Sequence, residues 1–128
     1  MSGPVSAELL ASTRPVAFFG YADPKPGLER DLRERMLALG DPSRAEPGVL
    51  AYEVHEAPSR PGSVAFYEVY RDGNAVRAHL EQPHMREFFA DSAALLAGDL
   101  DIHVLHPILS EERAEERAEE RDEVMRDG

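Results

Sequence analysis

Between Tyr67 and His84 the chain changes its repeat twice in eighteen residues. Tyr67-Glu68-Val69-Tyr70 is β-prone and closes a run from Ser63 to Arg71 that reads as a strand. Asp72-Gly73 is turn chemistry, and Asn74 suits a helix N-cap. A short helix is expected from Ala75 to about Glu81. Pro83 has no N–H, and its ring disfavours helical geometry at Gln82. It belongs in the first turn of a new helix, running to about Ala97. A strand that feeds a helix broken at a known point leaves few arrangements for the rest.

The other segments fit that frame. Val16-Ala17-Phe18-Phe19-Gly20-Tyr21 is a first strand, ending near Asp23-Pro24. A helix follows from Leu28 to about Leu39, because positions 28, 32, 36 and 39 share one helical face. Gly40-Asp41-Pro42 is expected to stop it. Val49 to His55 is a second strand, a Pro- and Gly-bearing hairpin loop spans Ala57 to Gly62, and Leu100 to Leu109 is a fourth strand. The fold class is therefore α+β. The order β-α-β-β-α-β is ferredoxin-like, with a four-stranded antiparallel sheet covered by helices on one face. Apolar residues occur at both phases of the strands, so the other face needs a cover, and a second copy of the chain is the simplest one.

The chain has 128 residues and 42% hydrophobic residues, enough for one core. Residues 1–13 read as a flexible arm, 14–109 as the domain, and 110–128 as a charged tail, helical or disordered. Residues 111–128 hold nine acids and four bases, nearly half of the net charge of −11. That acidity disfavours phosphate backbones and anionic membranes, so neither nucleic acid nor a membrane is expected as a partner. There is no cysteine, no export signal and no apolar run long enough to span a bilayer. The expectation is a soluble, cytoplasmic protein.

Four pieces, in this order, resemble the antibiotic biosynthesis monooxygenase family, which includes small quinol monooxygenases and related isomerases of phosphorylated autoinducers. They are Lys25-Pro26-Gly27, then Arg44-Ala45-Glu46-Pro47-Gly48-Val49-Leu50-Ala51-Tyr52-Glu53, then Tyr67-Glu68-Val69-Tyr70, and finally Ala78-His79-Leu80-Glu81-Gln82-Pro83-His84-Met85. The resemblance implies a dimeric α+β barrel with a pocket between sheet and helices. It implies oxidation of an electron-rich aromatic ring by dioxygen with no flavin, haem or metal. Many members carry a Trp on strand three where this chain has Tyr70; this chain has no Trp.

His79 and His84 are the candidate proton-transfer residues, since a neutral imidazole accepts a phenolic proton near neutral pH. The competing role for each is structural, pinning the short helix or the Pro83 break. Glu68 is the third catalytic candidate, able to orient a histidine or to pair with an arginine such as Arg77. Phe66, Glu68 and Tyr70 share one sheet face by the period of two. Tyr52, Phe66, Tyr70 and Phe88 are the candidate aromatic lining for a small ring substrate, with core packing as the alternative. No metal site is expected. Two histidines five apart across a Pro break do not match a helical zinc pair, and no acid stands in an obvious third position. A non-catalytic binding domain and an isomerase of a small sugar-like substrate stay open, the latter needing a base such as Arg77 or Arg86 in the pocket.

Overall fold

Antiparallel pairing fixes which side chains meet the helices. The computed structural model describes residues 5–108, so the expected tail at 110–128 lies outside the described residues. The elements run α1 (Ala7–Leu10), β1 (Val16–Ala22), α2 (Glu29–Ala38), α3 (Gly40–Arg44), β2 (Val49–Glu56), β3 (Val64–Tyr70), α4 (Gly73–Leu80), α5 (Pro83–Leu95) and β4 (Asp101–Leu105). The four strands form one antiparallel sheet in the order β2-β3-β1-β4. This is the expected ferredoxin-like topology.

Register places Phe18 opposite Glu68, and Tyr52 opposite Glu68 on the other side. Phe66, Glu68 and Tyr70 therefore point the same way as Tyr52 and Phe18, toward the helices. Two buried clusters fill that side. Leu32, Met36 and Leu39 join Tyr52, Phe66, Met85 and Phe88 in one. Leu9, Val16, Phe18, Tyr70 and Val76 form the other. The opposite side carries Phe19, 37% exposed, packed edge-on against Tyr21. β2 and β4 are the edge strands. β2 has an irregularity between Val49 and Ala51, and Pro107 stands two residues beyond the end of β4.

Three local outcomes differ from the sequence expectation. α2 ends at Ala38 as expected, but Gly40-Asp41-Pro42 also opens a further short helix, α3, where Pro42 sits in a first turn that needs no N–H from it. Asp72, not Asn74, caps α4: its Oδ1 accepts from Ala75 N at 2.9 Å. Residues 5–13 are not a loose arm. Leu9 is buried, Gly73 N–H donates to Ser12 O at 2.9 Å, and a Cβ on Gly73 would lie 2.3 Å from Leu10 O. Only glycine lets α1 approach α4 that closely.

Leu32 is fully buried and Asp72 caps at a partly exposed site. Leu32→Ala should cost about 2–5 kcal/mol and Asp72→Ala about 1 kcal/mol in urea denaturation. Equal costs for the two would contradict the packing described here.

Candidate functional site

Three chain segments converge below the helix-facing side of β3. The turn after α3 is tied by Glu46 N–H to Ser43 O and by Val49 N–H to Glu46 O, which points the Glu46 side chain inward. α4 carries His79 on its buried face, and Pro83 starts α5 so that His84 falls in its first turn. The result is one carboxylate under two imidazoles. His79 Nδ1 lies 2.9 Å from Glu46 Oε2, and His84 Nε2 lies 3.1 Å from the same oxygen. Ser43 Oγ is 3.3 Å from His84 Nε2. The side chains of His79 and Glu46 are only 3% and 10% exposed.

A carboxylate oxygen accepts, so His79 donates from Nδ1 and its Nε2 bears the lone pair. That Nε2 is buried, has no hydrogen-bond partner among the described residues, and faces Glu68 Oε1 at 3.8 Å. Glu46 Oε1 is likewise buried without a partner among the described residues. Glu68 in turn accepts a hydrogen bond from the Tyr70 hydroxyl. The groups thus form a chain from Tyr70 through Glu68, His79 and Glu46 to His84.

The surroundings set their protonation. Burial lifts Glu68 from 4.5 to about 7; the Tyr70 hydrogen bond opposes the rise and the Glu46 charge adds to it. Burial also lowers His79, against the Glu46 hydrogen bond and charge that raise it. Burial first, then the Glu68 charge, push the Tyr52 and Tyr70 hydroxyls upward, so both remain donors.

A cavity of about 820 Å³ lies over this chain of groups. Tyr52, Phe66, Tyr70 and Phe88 line it together with Glu68 and His79, as do Met36, Leu39 and Met85. His84 does not line it; Glu46 stands between His84 and the cavity-lining His79. Arg77 and Arg86 do not line it, and Glu68 meets Tyr70 and His79 rather than Arg77. Glu46 and Ser43 were missed by sequence reasoning. Glu46 stands in a Glu-Pro-Gly turn, a setting that ordinarily faces water. Its one visible signal was its place in a segment shared with the family that the sequence resembles.

The profile of the family described as antibiotic biosynthesis monooxygenase matches residues 15–91. The uncharacterized protein sll1783 of Synechocystis is 33% identical over 94 residues, covering 70% of this chain and 61% of that protein. The chain thus spans less than two thirds of that relative's length. Rv0793 of Mycobacterium tuberculosis, which carries a provisional monooxygenase name, is 31% identical over 75% of this chain and 94% of its own. Its solved structure matches with a TM-score of 0.70 over 76% of this chain and 98% of that one. PA3566 of Pseudomonas aeruginosa is 28% identical, with a TM-score of 0.70 over 75% and 96%.

The raised Glu68 carboxyl has a measurable sign. Between pH 4.5 and about 7 the folded state holds a proton that the unfolded state has released, so stability falls as pH rises through that window. The full penalty, about 3 kcal/mol, is present above it. Glu68→Gln removes the titration. Its stability relative to wild type should be near parity at pH 4 and climb through neutrality, read by urea denaturation at each pH. A pH-independent difference would contradict a buried, neutral-shifted Glu68.

Proposed function

The chain belongs to the antibiotic biosynthesis monooxygenase family, and on that footing we propose that it oxidises a small phenol or quinol with dioxygen. The observation that carries the reading is the juxtaposition of an aromatic-lined cavity with the Glu68–His79 pair. Glu68 presents the more exposed side chain, 14% against 3% for His79, so it offers its carboxylate edge to the ring hydroxyl. His79 Nε2 stands 3.8 Å from it with a free lone pair. A proton leaving the ring is shared by the two. The imidazolium that forms lies between Glu46 and Glu68, two carboxylates placed to hold it. The ionised ring, kept from water by Phe66, Phe88 and Met85, is electron-rich enough to reduce dioxygen. The chemistry calls on no flavin, haem or metal.

His84 has a supporting part in this scheme. It donates to Glu46 and so helps hold the His79 tautomer. An isomerase of a phosphorylated sugar is disfavoured, because no Arg or Lys is among the residues lining the cavity and both ionisable acids there, Glu68 and Asp99, repel phosphate. A second copy of the chain is proposed to cover the outer sheet face around Phe19 and Tyr67.

Anaerobic mixing with substituted hydroquinones followed by air should give oxygen uptake above buffer. His79→Ala and Glu68→Gln should each lower kcat by about 10²-fold or more, the usual range for a lost acid–base group, with little change in KM. His84→Ala should lose less than either. Undiminished uptake in His79→Ala would sink the reading. Sedimentation should show twice the 14.2 kDa chain mass at micromolar concentration; a single 14.2 kDa species would remove the dimer.

A further inference from the structure

The triad beneath the cavity has a second use that its role in proton transfer leaves unexplained. Glu46, His79 and His84 each offer one ligand atom, and these atoms lie within 4.8 Å of one another. Two imidazoles and one carboxylate are the donor set of open, three-ligand divalent sites. We propose that Glu46, His79 and His84 form a binding site for a divalent transition metal of the zinc type, held by Nδ1 of His79, Nε2 of His84 and the Glu46 carboxylate.

Along the chain no acid stands in an obvious third position beside His79 and His84. The fold supplies one, 33 residues before His79 in the chain and 2.9 Å away in space. Pro83 also removes the spacing objection. It starts a new helix, so His84 approaches from a different direction than a residue one turn along α4 would.

Three further observations point to a ligand. A tetrahedral ion with bonds of about 2.0–2.1 Å sets its donors roughly 3.3–3.4 Å apart. The present contacts of 2.9 Å and 3.1 Å to Glu46 Oε2 need to open by only a few tenths of an ångström. Second, the two buried atoms without partners among the described residues are Glu46 Oε1 and His79 Nε2. Metal on Nδ1 places the ring proton on Nε2, which then has Glu68 to donate to; Glu46 Oε1 becomes a second carboxylate donor. Third, Glu68 is already braced by Tyr70. A carboxylate behind the far nitrogen of a ligating histidine is the usual outer partner of such sites. Charge also closes: the ion and Glu46 sum to one positive charge, and ionised Glu68 balances it. Ser43 Oγ stands 3.3 Å from His84 Nε2, beside this donor set.

Occupancy and the proposed oxidation exclude each other. A metal on Nδ1 obliges Nε2 to carry hydrogen, so His79 cannot accept the ring's proton. The metal is therefore an inhibitor of the metal-free site. This last clause rests on the proposed reaction, whereas metal binding does not.

The tag-free full chain, stripped with chelator, is titrated with Zn2+ by calorimetry and with Co2+ by visible absorption. The expected result is one equivalent of Zn2+ and a Co2+ d–d band of low-symmetry, four- or five-coordinate intensity that Zn2+ abolishes. Glu46→Gln and His84→Ala should each weaken binding by tenfold or more, with far-ultraviolet circular dichroism checking the fold. Glu68→Gln should weaken it about 10-fold while keeping one equivalent, the size expected of an outer partner. His55→Ala, on the exposed face of β2, should change nothing. No saturable binding, or binding that survives His84→Ala and Glu46→Gln unchanged, overturns the site. If Zn2+ binds but no hydroquinone is ever oxidised, the site stands and the proposed reaction fails; if uptake proceeds at full rate with one Zn2+ bound, only the inhibitory clause fails.

Discussion

Glu46 is the point at which the helical layer is joined to the sheet's second strand. A carboxylate taken out of water loses several kcal/mol of hydration, and only well-placed donors return it. Here the donors are imidazole nitrogens from two different helices. The turn before β2, the body of α4 and the first turn of α5 are thereby fixed relative to one another. Remove that agreement and His79 has no set tautomer, Glu68 has no partner across 3.8 Å, and the cavity has no polar floor.

Side-chain alternation was legible from the residues alone, and with it most of the fold. Phe66, Glu68 and Tyr70 were placed on one face by the period of two, and register with Tyr52 and Phe18 turns that face toward the helices. Pro83 at the start of α5 was equally readable, since a residue without an N–H has few places to sit in a helix. Less legible were the ends of elements. Asp72 and Asn74 are both good caps, and only the tertiary position of α4 chooses between them. The site was half-visible: the residues on regular elements declared themselves, whereas Glu46 and Ser43 did not. Burial of a turn depends on what packs over it, here the His79 face of α4, and no local pattern records that.

The sheet has two unequal faces. The helix-facing one is a layer of large buried side chains interrupted by a carboxylate and an imidazole. The outer one mixes Phe19 and Tyr67 with Glu53, His55 and His103. Ionisable groups stand on both faces, but Glu68 and His79 on the inner side are the ones buried among large apolar side chains. Ionisable groups with perturbed protonation beside a cavity mark a candidate functional site.

The two edge strands bear on aggregation. An exposed edge offers unpaired N–H and C=O groups to any other chain that can lie alongside. In this protein one edge is bent by the irregularity at Leu50, and the other is a five-residue strand followed closely by Pro107, which has no N–H to give. Growth of the sheet by sideways addition is discouraged at both ends. Any contact between copies is thereby left to the broad face rather than to the open-ended edge stacking from which fibres grow.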